Sequence, residues 1–168
     1  MELHHKKQLT QNEIADTFVK VLTDTYKLKQ LLLSQLPGMT YKSQESRLKM
    51  LIISARSSLD IQILRLNLAM RQLNRTFFKE ESLTKKGLNI KKYLSQDIDS
   101  LSLYNDAELI LNLMLIVGIE VNSFRLLVVL SQHLYPKSVN SLMKLNLGEA
   151  VKYEKSLVAI YKSYLIEN

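Results

Sequence analysis

The chain has 168 residues, 46% of them apolar, with four glycines, two prolines, no cysteine and a formal charge of +7. This length and composition suit one globular domain with a substantial core, and they exclude a disordered chain, a disulfide scaffold and any thiolate metal site. The charge is uneven: residues 42–92 hold twelve of the 23 basic residues, including five of the six arginines, against four acids, so this stretch alone carries +8. Such asymmetry points to a polyanion or an acidic protein as partner.

Residues 1–9 are polar, lack the apolar stretch of a signal peptide and are expected to form a flexible tail. His4 and His5 stand there without further ligands, so they make no metal site. The first helix is predicted from Gln11 to Leu36. Thr10 and Glu13 form a capping box, Ile14, Phe18, Leu22, Leu28, Leu32 and Leu36 recur at helical spacing, and Pro37-Gly38 ends it.

The second helix is predicted from Lys42 to Phe78. One apolar stripe contains Leu48, Leu51, Ile52, Ala55, Leu59, Leu66, Met70, Leu73 and Phe77; a second, opposite it, contains Met50, Ile53, Ile61, Leu64 and Leu68. An outer helix of a monomeric bundle needs only one apolar face, so this helix is either central or shared with another subunit. Beyond Leu68 the second face turns basic, with Arg71, Arg75 and Lys79 at successive turns forming an exposed ridge. Residues 79–102 read as a polar basic connector that continues the charge through Lys85, Lys86, Lys91 and Lys92.

The third helix is predicted from a cap near Asp106 to about Tyr135. Its longest uncharged run, Leu109–Ile119, spans 11 residues, too short to cross a membrane, and it reads as the most buried element of the core. The fourth is predicted from Ser141 to Ile166, with Leu142, Leu145, Val151, Leu157, Val158, Tyr161 and Leu165 facing inward. The fold expected is therefore all-α: a bundle of four long helices in a single domain over residues 1–168.

Catalytic signals are absent. No phosphate loop, dinucleotide fingerprint or nucleophile elbow occurs, and Asp97 and Asp99 lack an acid/base partner. Arg125 and His133 share the third helix, as the Arg and His of HEPN-type ribonucleases do. Here seven residues intervene, which offsets them by about 80°. The plainer reading is a paired Arg and a helix-terminal His. The basic stretch carries more: arginine and lysine ridges bind phosphates with release of counterions, and Phe78 and Tyr93 beside them suit stacking on unpaired bases.

One local pattern extends this. A long helix ends at Leu36-Pro37, and a basic helix opens shortly after with Ser43-Gln44-Glu45-Ser46-Arg47-Leu48. This resembles the first helix junction of the four-helix-bundle proteins encoded in 23S rRNA intervening sequences. That family includes the accessory variability determinant of diversity-generating retroelements. Segments 125–134 and 151–164 resemble its last two helices. The resemblance implies a basic homo-oligomer, a pentamer in the family, that binds nucleic acid and a reverse transcriptase. The chain departs from the family in lacking Trp and in its additional connector.

The function expected is a non-enzymatic accessory subunit that needs no cofactor or metal and does not enter a membrane. It would bind RNA or DNA through Arg71, Arg75, Lys79, Lys85, Lys86, Lys91, Lys92 and Tyr93, and form a homo-oligomer through Met50, Ile53, Ile61, Leu64 and Leu68. The lack of cysteine fits a reducing compartment, so a cytoplasmic location is expected. The alternative is a protein–protein adaptor or chaperone whose basic face meets an acidic partner.

Overall fold

The computed structural model describes residues 8–79 and 103–165. Among them the chain forms four helices and no strand: α1 (Gln11–Lys42), α2 (Ser46–Gln72), α3 (Leu103–Ser131) and α4 (Ser138–Lys162). The tail at 1–7 and the connector from residue 80 to 102 lie outside the described residues.

Short links make two antiparallel hairpins, α1–α2 and α3–α4. Hydrogen bonds at the ends set how the hairpins meet. The backbone N–H of Glu45 donates to Asp106 at 2.7 Å, and Arg47 donates to Ser163 at 2.9 Å, so the α1–α2 link sits beside the start of α3 and the end of α4. At the other end Ser138 donates to Gln72 at 3.0 Å. α2 and α3 therefore run parallel, with α1 and α4 each packed against both of them. The core they enclose includes Phe18, Leu22, Leu48, Ile52, Leu66, Phe124, Leu127 and Met143, all fully buried.

α1 starts as the sequence indicates. Thr10 accepts from the Glu13 backbone N–H at 3.2 Å, and Glu13 accepts from the Thr10 N–H at 2.8 Å. Its end differs: the helix continues through Pro37 and Gly38 to Lys42. A proline this close to a helix end removes one backbone hydrogen bond, and burial of Leu36 and Met39 on either side of it outweighs that loss.

α2 is shorter than expected. Asn74 adopts the left-handed conformation (φ 52°), the N–H of Arg75 donates to Met70 O at 3.0 Å, and that of Asn74 to Arg71 O at 3.1 Å. This is a Schellman stop with asparagine in the usual glycine position. The chain then folds back along α1: Phe77 stacks on Tyr26 with centroids 4.1 Å apart, and the Phe78 N–H donates to Thr23.

Asp106 does not cap its own helix. It is buried in the first turn of α3, and its carboxylate accepts from the N–H groups of Gln44 and Glu45, bracing the start of α2 from outside. α3 is not enclosed either. Leu111, Leu115, Leu126 and Val129 face outward and are exposed, because every helix of a four-membered ring keeps one side to solvent. On α4 the inward residues are Val139, Met143, Asn146, Ala150, Leu157 and Ile160; Leu145, predicted to face inward, is exposed, as is Leu165 beyond the helix end.

Candidate functional site

Halfway along the bundle each helix sends a polar side chain into the core. Lys29 of α1, fully buried, donates to Glu120 of α3 and to Gln62 of α2. Gln62 in turn donates to Glu149 of α4 at 2.9 Å. Arg65, one turn along α2, bonds Glu149 at 2.6 Å and Asn146 at 3.1 Å. The Lys29 ammonium also lies 5.0 Å above the Phe124 ring. Burial pushes the Lys29 pKa down, while Glu120 beside it, and Glu149 further off, pull it back up. The two cations thus meet two carboxylates in a connected network: Lys29 and Glu120 are buried, where an unpaired charge would cost several kcal/mol, while Arg65 and Glu149 keep partial contact with solvent.

Bundles that hold a metal pair use a Glu from each of two helices and a Glu-x-x-His from each of the other two. The corresponding residues here are Lys29 and Glu120, with Gln62-x-x-Arg65 on α2 and Glu149-x-x-Lys152 on α4. Two carboxylates, no imidazole and two nearby organic cations do not suit a metal pair. Among the described residues no group of three His, Cys, Asp or Glu side chains is placed to hold a metal ion.

The outer face of α2 is the second feature. Met50, Ile53, Ile61, Leu64 and Leu68 lie on one side of the helix and are 44–66% exposed. The helix is therefore not central, and among the described residues its second apolar stripe has no partner. Arg56 and Asp60, both exposed, flank this stripe on one side.

At the end of the stripe the basic residues are exposed but not arranged as predicted. Arg71 belongs to α2, whereas Arg75 and Lys79 follow the Asn74 stop and lie on the segment returning along α1. Arg75 approaches Asp16 at 3.5 Å, and the Lys79 carbonyl accepts from Lys27 at 3.0 Å. The ridge at successive helical turns does not exist; a cluster around the foot of α2 takes its place. Lys85, Lys86, Lys91, Lys92 and Tyr93 lie outside the described residues, as do Asp97 and Asp99. Two more arginines of the basic stretch point elsewhere, since Arg65 is in the core network and Arg47 bonds Glu45 and Ser163.

Arg125 donates to Asn122 at 3.0 Å, and both Arg125 and His133 are exposed beyond the hairpin's packed side. Nothing in the geometry joins them at one phosphate. α3 over Asn105–Ser131 is long and apolar enough to cross a membrane, yet 44% of its most apolar window is buried in the bundle, with Glu120 on that buried side.

The fold has counterparts among solved structures. The Escherichia coli stress protein YciF aligns with a TM-score of 0.75 and 20% identity over 88% of this chain and 94% of its own. YcfI from Rhodopseudomonas palustris aligns with a TM-score of 0.76 and 19% identity over 93% of this chain and 97% of its own. The likeness is one of fold. Both proteins stand apart from the intervening-sequence family that the helix junction resembles. No protein-family model and no curated protein matches the sequence.

Proposed function

We propose that this chain is a non-enzymatic accessory subunit that pairs with a second copy through the outer face of α2 and presents the basic foot of that helix to a nucleic acid. The observation that carries the reading is the exposed row Met50, Ile53, Ile61, Leu64 and Leu68, which leads directly into exposed Arg71, with exposed Arg75 just past the helix end. An apolar row of this kind favours association.

Charge selects the orientation of the pair. Parallel α2 helices would set Arg71 and Arg75 beside their own copies. Antiparallel helices separate these ends and bring Met50 against Leu68, Ile53 against Leu64 and Ser57 against Ile61. The same register places Arg56 of each copy beside Asp60 of the other. Both basic feet then lie at opposite ends of one elongated surface.

Light scattering at micromolar protein, together with titration of RNA, duplex DNA and single-stranded DNA at two salt concentrations, tests the proposal. A dimer mass and an affinity that falls steeply with salt are expected, because each phosphate contact releases condensed counterions. Changing Arg71 and Arg75 to Glu should abolish most of that binding without unfolding the bundle. A monomer, or no oligonucleotide binding at low salt, would overturn the corresponding half of the reading. An acidic protein partner is the second reading: the exposed apolar row of Leu111, Leu115, Leu126 and Val129 on α3 offers it a protein-binding surface, and the basic foot of α2 the opposite charge.

A further inference from the structure

The outer face of α4 carries charge of one sign. Its exposed charged residues are Lys144, Lys152, Lys155 and Lys162. α1, in comparison, exposes Glu13 and Asp16 as well as Lys20, and α2 exposes Asp60 as well as Arg56. At 100° per residue the four lysines fall within a sector of about 80°, so they form one row. Neither glutamate of the helix joins it: Glu149 bonds Arg65, and Glu154 is half-buried. Among the described residues none of the four ammonium groups has an ion-pair or hydrogen-bond partner. Lys152 and Lys155, less than one turn apart, repel each other, and a polyanion relieves that repulsion.

The residues beside the lysines select among polyanions. Ser141, Gly148 and Ala159 are exposed within the row, all of them small, and Leu145 is its single large apolar residue. Protein interfaces are anchored by aromatic and apolar side chains and are poor in lysine. A helix lying in a membrane surface needs a free apolar side, whereas Val139, Met143 and Leu157 of α4 are locked in the core. Unpaired bases call for aromatic stacking, and the row contains no aromatic residue. A duplex backbone requires only cations within reach and little bulk between them. From Lys144 to Lys162 the row is about 27 Å long, within one turn of a duplex. It is also continued at both ends. Ser138 donates to Gln72, which sets the start of α4 beside Arg71, and Arg47, bonded to Ser163, stands at the far end.

We propose that α4 lays this face along the phosphate backbone of a nucleic-acid duplex, with the basic foot of α2 as one end of a longer track. The inference rests on the nucleic-acid half of the proposed function and adds to it the surface and the form of the ligand. Contact free energies add, so loss of either the foot or the row removes most of the affinity.

The test measures binding of a DNA duplex of about two helical turns, and of one of its strands alone, over a series of salt concentrations. Each phosphate contact contributes about 0.9 to the slope of log K against log salt. Changing all four lysines to Gln should therefore lower that slope by about 3 to 4 and weaken duplex binding roughly a hundredfold or more at low salt. Gln equals Lys in helix propensity, so the circular dichroism should not change, and Arg at all four sites should keep slope and affinity. Lys20→Gln on α1, across the bundle, should leave the slope as it is. Gly148→Glu sets an acid within the row, where an added Cβ meets nothing within 4 Å, and should weaken binding severalfold. An unchanged slope in the Gln variant, with duplex still bound by the wild type, overturns the inference and leaves the foot of α2 as the contact. Single strands bound as tightly as the duplex overturn it too. So does a wild type that ignores duplexes yet binds phosphatidylserine vesicles or polyglutamate. Failure to bind any oligonucleotide at low salt overturns the nucleic-acid reading itself and this inference with it.

Discussion

The inner and outer faces of α2 are built from the same residue types and have opposite fates. On the inner face Leu48, Ile52, Ala55, Leu59, Leu66 and Met70 are at most 7% exposed, whereas on the outer face Met50, Ile53, Ile61, Leu64 and Leu68 are 44–66% exposed. Their polar residues divide the same way: Gln62 and Arg65 are tied into the core network, and Arg56 and Arg71 project into solvent. Periodicity identifies faces, but the number of neighbouring helices decides which of them the chain itself can cover. Among the described residues α1 and α4 pack on one side of α2 and leave the other apolar side open, where a second molecule can bind.

The contrast is broken most severely from the inside. Lys29→Ala should cost about 3–5 kcal/mol in chemical unfolding, because Glu120 would stay buried without its cation. Replacing both partners, Lys29→Met with Glu120→Leu, should recover most of that loss. A double variant as unstable as the single would show that the ammonium acts by packing alone.

On the outer face the expected effect is on mass and not on fold. Changing Ile61, Leu64 and Leu68 together to Ser should convert a dimer to a monomer, with stability changes of about 0.5 kcal/mol or less per exposed site beyond the loss of helix propensity. Unfolding of the triple variant would mean that this side supports the chain's own core. A smaller change sharpens the orientation. Arg56→Asp and Asp60→Arg should each weaken the dimer by a few tenths to about 1 kcal/mol, and the two together should restore it, as measured by sedimentation equilibrium.

The four helices, the Thr10 capping box and the inner stripe of α2 were legible because each depends on residues within a few turns of one another. Features that depend on the tertiary surroundings were not. Pro37 is the usual mark of a helix end, yet burial of Leu36 and Met39 carries α1 past it. Asp106 reads in sequence as a cap, yet it lies inside the first turn and its carboxylate serves residues 61 and 62 positions earlier in the chain. The basic ridge expected from the sequence runs through Asn74, whose left-handed conformation ends the helix. The core network left a readable trace: Lys29 interrupts the apolar stripe of α1, and Glu120 ends the uncharged run Leu109–Ile119 of α3. Their pairing across 91 positions needed the fold.

The smallest effect is at the start of α1. Thr10's backbone N–H and hydroxyl, both donating to Glu13, hold that carboxyl below its usual 4.5. A depressed folded-state pKa contributes stability that is present above 4.5 and lost as pH falls through the lower folded value. Relative to the intrinsic exchange rate at each pH, protection in the first turn of α1 should therefore fall on acidification within that window, while protection in the α2 interior stays unchanged. Glu13→Gln should remove the pH dependence.

The two hairpins also carry complementary halves of the core network. α1–α2 supplies both cations, Lys29 and Arg65; α3–α4 supplies both carboxylates, Glu120 and Glu149. Two copies of either hairpin joined through their inner faces would bury like charges against each other, which the correct union avoids. The sign of the charges thus favours the union of unlike hairpins over that of like ones. A chain cut within residues 80–102 keeps the cations on one half and the carboxylates on the other, so separately produced halves should prefer each other to themselves.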